Sequence, residues 1–130
     1  VVQAAGCDNA KLLLDSWHCV RRISPGPVGP GGSPGGEDRL HLINDVQAHP
    51  YAKSILRDES MHDRMLPGTG CGNTAGFVRL IRDKGVRPAV VGVEVISDEI
   101  LSRGVAQAAK DNYEAARAVL EQIWPEVLER

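Results

Sequence analysis

The sequence predicts an α/β fold built on parallel strands. Apolar, β-branched runs alternate with helical segments, and a strand–helix–strand–helix order implies a parallel sheet. Each apolar run ends in polar residues. LLLDSWH (Leu12–His18) carries Asp15 and His18, Leu40–Ile43 runs into Asn44-Asp45, and GVEVISDE (Gly92–Glu99) carries Glu94. Polar groups at the C-terminal ends of parallel strands are the plan of an α/β-barrel active site. Glu94 is the most informative of them, because a carboxylate inside a buried strand costs several kcal/mol unless it is paired or bound to a cation. It is either retained for chemistry or placed at the strand's open end.

The elements follow in order. Lys11–Asp15 reads as the first strand. Ser24–Gly36, SPGPVGPGGSPGG, is nearly all Pro, Gly and Ser; it cannot hold a helix and is expected as a flexible loop. Leu40–Ile43 is the second strand. His49–Arg64 is polar and mixed, with one or two helical turns at most around Tyr51–Arg57. LPGTGCG (Leu66–Gly72) is a glycine-rich loop. Asn73 or Thr74 caps the helix after it, with Phe77, Leu80 and Ile81 expected on the buried face. Gly85 closes that helix in the left-handed conformation. Pro88–Val95 is the third strand. Asp98 is expected to cap a short turn that Gly104 breaks. Val105–Ile123 is the clearest helix, with Val105, Ala109, Tyr113, Ala116, Leu120 and Ile123 at core-facing spacing. Pro125 begins a last turn.

Length and composition narrow the function classes. The chain has 130 residues, enough for one domain spanning 1–130. A complete eight-stranded α/β barrel takes about 250, so a partial barrel is the reading. The chain opens VVQAAG without an initiator Met or a basic leader, which suggests a fragment or a processed piece. A net charge of −2 gives no sign of a nucleic-acid partner or an anionic membrane surface. No apolar run reaches the roughly 18 residues of a membrane span. Cys7, Cys19 and Cys71 are odd in number and irregularly spaced, which argues against a disulfide framework and fits a reducing cytoplasm.

Several residues are candidates for chemistry. In a parallel sheet the strand C-termini share one edge, so Asp15 and Glu94 can converge. Two carboxylates with a neutral His make a hard site suited to Mn²⁺, Mg²⁺ or Co²⁺. The competing reading is that Asp15 caps a turn and Glu94 pairs with an arginine such as Arg64. His18 can bind a metal or a hydroxyl, or stand exposed in a loop. His41 shares its strand face with Ile43, as a core histidine does. LPGTGCG lacks a P-loop lysine, yet it precedes a helix start, where free N–H groups attract anions. Arg64 stands just before it and can clamp a carboxylate, a phosphate or sugar hydroxyls. Trp17 and Trp124 read as packing residues.

Together these motifs resemble a known family. LLLDSWH, LINDV, RMLPGTG and VGVEVISDE come in the order and approximate spacing of the C-terminal half of the xylose-isomerase-like TIM barrels, the sugar phosphate isomerase/epimerase superfamily. The resemblance covers Asn9 to about Val127. It implies a partial (βα)8 TIM barrel and a divalent-metal-dependent proton transfer next to a sugar carbonyl, through a metal-stabilised enediolate. It implies Asp15 and Glu94 as metal ligands, Glu94 also as a catalytic group, and His18 and Arg64 as substrate contacts. Three features depart from the family. There is no counterpart to its other catalytic Glu. Leu42 stands at the next-to-last ligand position, so His41 is a ligand only if the strand shifts by one residue. The Pro/Gly run stands where the family has a helix.

Two functional expectations follow. One is a sugar or sugar phosphate isomerase/epimerase with a sugar or polyol substrate, or, with the same metal and proton abstraction, an inosose-dehydratase-like lyase. The other is a non-catalytic barrel fragment that acts by association, including as a homo-oligomer, because open sheet edges and uncovered apolar surface favour pairing.

Overall fold

The computed structural model describes Gly6 and residues 13–21, 40–48, 56–86 and 90–129. The Pro/Gly/Ser run, Cys7, His49, Pro88 and most of Tyr51–Arg57 lie outside the described residues. The elements are β1 (Leu14–Asp15), α1 (Ser16–Val20), β2 (Leu40–Ile43), α2 (Leu56–His62), α3 (Thr74–Asp83), β3 (Val90–Val93), α4 (Asp98–Ser102), α5 (Val105–Ile123) and a final 3₁₀ turn, Pro125–Leu128. The three strands form one sheet in the order β1-β2-β3, and both pairings are parallel. The fold is therefore mixed α/β on a parallel sheet.

Register decides which residues share a face. Leu14, His41 and Val91 form one row across the sheet, and Asp15, Leu42 and Gly92 the next. Side chains alternate along each strand, so Asp15, Leu42, Asn44 and Glu94 belong to one face. His41, Ile43, Val91 and Val93 belong to the other. Helices α3 and α5 cover that second face. The core there joins Ile43, Val78, Ala116, Val119, Leu120 and Ile123, with Phe77, Val91, Val93 and Trp124 packed against it. Each fully buried aliphatic side chain contributes about 1.5–3 kcal/mol.

Helix boundaries follow local chemistry. Asn73 caps α3 with its side-chain oxygen on Gly76 N–H, in a left-handed conformation that Asn tolerates. Gly85 has φ +68° just past the helix, the expected left-handed stop. The buried face of α3 is Thr74, Val78 and Ile81; Leu80, expected inside, is exposed. Ser97, rather than Asp98, caps α4, accepting from Ile100 N–H at 3.4 Å. Seven residues of α2 occupy a stretch expected to be mostly irregular. That helix buries Glu59, a residue that apolar periodicity does not detect. Along α5 the expected stripe is half buried: Ala116, Leu120 and Ile123 reach the core, while Val105 and Tyr113 are 75% and 63% exposed. Among the described residues no helix is long and apolar enough to cross a membrane.

Candidate functional site

Of the residues singled out from the sequence, Asp15, Arg64 and Glu94 meet at the carboxyl end of the sheet, on the face away from α3 and α5, with His18 beside them. Asp15 ends β1 and caps α1. Its Oδ1 accepts from Trp17 N–H at 2.8 Å and from Asn44 Nδ2 at 2.9 Å. Its Oδ2 accepts from Arg64 Nη1 at 2.9 Å. The same Nη1 donates to Glu94 Oε2 at 2.7 Å. Glu94 stands one residue past β3, at the open end of its strand, and its side chain is 42% exposed. Asp15 and Arg64 are almost wholly buried, at 5% and 4%. Asp15 thus caps a turn, and Glu94 pairs with Arg64.

Arg64 is held from behind. Its Nε donates to Ser60 O at 2.8 Å, Nη2 donates to Ser60 Oγ at 3.0 Å, and its own N–H donates to Ile96 O at 3.1 Å. The guanidinium lies 5.3 Å from the centroid of the Trp17 ring, within cation–π range. A buried ion pair is net favourable only with good geometry and satisfied lone pairs, and Asp15 and Arg64 meet both conditions. His18 lies in α1, not in a loop. Its exposed ring stands edge-on to Trp17, with Nε2 3.7 Å from Asp15 Oδ2.

Asn44 ties the cluster to the scaffold. Fully buried, it receives Thr74 Oγ1 on its backbone oxygen at 2.8 Å and donates its N–H to Ser16 Oγ at 2.9 Å. The Ser16 hydroxyl lies 2.8 Å from both Asn44 O and Asn44 Oδ1. Through its side chain and its backbone together, this one residue joins the ends of β1 and β2 to the start of α3.

His41 is not brought to this cluster. It lies on the helix-covered face, beside Ile43, Val78, Val91 and Leu120, because the strand keeps its register without a slip. Leu42 occupies the face of Asp15 and Glu94. The expected ligand set of Asp15, Glu94 and His41 is therefore split between two faces, and the two carboxylates already share a guanidinium. As they stand, these residues do not fit a divalent ion. Among the described residues no other group of three His, Cys, Asp or Glu side chains is placed to hold one.

The glycine-rich loop is folded around an internal anion. Buried Asp45 accepts from Val46 N–H at 2.8 Å and Gly72 N–H at 2.6 Å through Oδ1, and from Gly68 N–H at 3.1 Å through Oδ2. Donors that could cradle a phosphate are thus committed to the chain's own carboxylate. A Cβ at Gly70 would collide with the Val46 carbonyl, so only glycine fits there.

Two features were not legible beforehand. Glu59 is fully buried, and Arg21 Nε and Nη2 both donate to its Oε1, at 2.9 and 2.7 Å. This pair docks α2 against α1 across 38 residues, and no local spacing signals it. The second is a cleft of about 510 Å³ whose lining includes Gln47, Arg64, Met65, Thr69, Ser97 and Arg103. It lies between the segments that follow β2 and β3. Arg103 closes one side, paired with Glu99 at 2.7 Å and Asp111 at 3.1 Å.

Hydrogen bonds from Gln107 and Arg103 hold the Asp111 carboxyl below its ordinary value. A lowered carboxylate pKa gives stability that is full above the unfolded pKa and lost as pH falls through the folded one. Asp111→Asn should therefore lower the melting temperature at neutral pH, and the difference should vanish in strong acid. Thermal melts of both proteins across pH check this; a deficit independent of pH would refute it.

Comparison with protein families finds no match, and comparison with curated proteins finds none either.

Proposed function

We propose that the strand-end cluster handles a sugar or polyol and moves a proton beside its carbonyl, as an isomerase or epimerase does, on a chain built as the C-terminal βα units of a partial TIM barrel. The observation that carries this reading is the convergence of Asp15, Arg64 and Glu94 through a single guanidinium nitrogen. Glu94 is the proton acceptor. Its Oε2 is oriented by Arg64, it is accessible, and its Oε1 makes no hydrogen bond among the described residues. Asp15 is buried with both oxygens engaged, so it positions and does not exchange protons with a substrate. His18 is exposed beside the cluster and can bind a hydroxyl.

One accessible carboxylate has a chemical consequence. It can take a proton from one carbon and return it to the neighbouring carbon on the same side; with the hydroxyl proton crossing to the former carbonyl oxygen, this is isomerisation. Inverting a centre needs a second group on the far side, and none of the described cluster residues supplies it. The reading therefore leans to isomerase over epimerase.

The test is proton exchange in D₂O, followed by NMR for a panel of aldoses, ketoses and their phosphates. Exchange beside the carbonyl is expected, and Glu94→Gln should slow it by about 10²–10⁴-fold while the fold is kept. Loss of water instead of exchange would mark a dehydratase of an inositol-like ketone. A folded wild-type chain that exchanges no sugar proton would leave the second reading, a half-barrel acting by association. The exposed Val105 and Tyr113 on α5 favour that reading.

A further inference from the structure

We propose that Arg64 is the resident cation of the strand-end site: its guanidinium occupies the place between Asp15 and Glu94 where a shared divalent ion would sit, and supplies the positive charge there without a metal. Its catalytic meaning rests on the isomerase reading above; its place in the site does not.

Four observations carry it. First, one nitrogen meets oxygens of both carboxylates, 2.9 Å from Asp15 Oδ2 and 2.7 Å from Glu94 Oε2. Those are charge-assisted distances, and a third, longer contact of Nη1 reaches the Glu94 backbone oxygen at 3.4 Å. Second, the guanidinium is preorganised. Ser60 holds Nε and Nη2, and Trp17 packs against the plane. Moving Arg64 aside to admit an ion breaks this whole buried set. Third, the other Asp15 oxygen is taken by Trp17 N–H and Asn44 Nδ2, so a chelating carboxylate is not on offer. Fourth, Leu42 shares the face with Asp15 and Glu94 while His41 lies on the other, so the strand supplies no third ligand.

The arrangement also suits the charge that proton abstraction creates. When Glu94 takes a proton beside a carbonyl, the electron pair moves into the new C=C bond and negative charge develops on the carbonyl oxygen. A fixed cation next to the base stabilises that charge without reorganising. Arg64 has five N–H donors. Nε, both hydrogens of Nη1 and one of Nη2 are engaged. The second Nη2 hydrogen has no partner among the described residues, and Arg64 lines the cleft between the β2 and β3 loops. Arg64 is thus a positioning residue for Glu94 with one donor in reserve.

The test uses Mn²⁺ alone as the probe, on the full chain, read by water-proton relaxation up to about 1 mM ion. Wild type and Arg64→Lys should bind no Mn²⁺. Arg64→Gln leaves the two carboxylates without their cation and should bind Mn²⁺ about tenfold or more tightly than the roughly 1 mM limit at which wild type shows no binding. The double variant Arg64→Gln/Glu94→Gln should lose that gain. A folded Arg64→Gln chain that gains no Mn²⁺ binding overturns the proposal. So does Mn²⁺ binding by wild type that disappears in Glu94→Gln. A second measurement needs no Arg64 variant and serves if Arg64→Gln does not fold. In ¹⁵N-labelled wild type the Arg64 Nε–H signal should stay sharp in Mn²⁺; selective broadening there overturns the proposal. Sugar exchange plays no part in these readouts, so failure of the isomerase reading and failure of this one are separable.

Discussion

Arg64→Met should lower the unfolding free energy by about 3–5 kcal/mol, the usual cost of removing one partner of a buried ion pair. The loss falls mainly on Asp15. Its buried Oδ2 loses its one hydrogen-bond donor among the described residues, with His18 Nε2 left at 3.7 Å. Glu94 is half exposed and recovers much of its loss from water. Adding Asp15→Asn should then relieve part of the cost, because the buried group left behind is no longer charged. The two substitutions touch the same bond, so a coupling of about 0.5–3 kcal/mol is expected. Urea unfolding of the four proteins measures it. Costs that simply add would mean that Arg64 and Asp15 do not interact in solution.

The second large effect belongs to Asp45. Asp45→Asn keeps the size but removes the charge and turns one acceptor into a donor. The side-chain oxygen can still take Val46 and Gly72 N–H, but the new NH₂ then faces Gly68 N–H. A lost charge-assisted bond and an unsatisfied amide together cost about 2–4 kcal/mol. Hydrogen exchange gives the specific readout: the Gly68 and Gly72 amides should lose protection before the core amides of α5 do. Amides that stay protected would show that the loop is closed by something other than Asp45. The loop matters to the site because Met65, directly after Arg64, pairs with Asp45 through two backbone bonds of 2.9 and 3.0 Å. Asp45 thus sets the path of the chain that delivers Arg64.

Much of the scaffold was legible in the sequence. β2 is found as read, α5 has the expected bounds, and Gly85 and Gly104 stop their helices at positive φ. These are local signals, carried by neighbouring residues. The misses are of two kinds. Leu80 and Tyr113 sit at helical spacing that fits a core, yet they are exposed. Spacing defines a helix face, while the neighbours that cover it are set by the tertiary packing. Glu59 was missed for the converse reason: it is buried through a partner 38 residues away.

The candidate site divides the same way. Apolar runs with polar ends, alternating with helices, determined by themselves that Asp15 and Glu94 finish parallel strands at one edge. The tertiary structure decided what stands between them. Two converging carboxylates suit a divalent ion and a guanidinium equally well, and the sequence contains donors for either. Arg64 lies 49 residues from Asp15 and 30 from Glu94, and it reaches both only because Ser60, Ile96 and Trp17 hold it there. The same holds for His41. One residue of register places it on the helix-covered face, and register is a property of paired strands that neither strand carries alone.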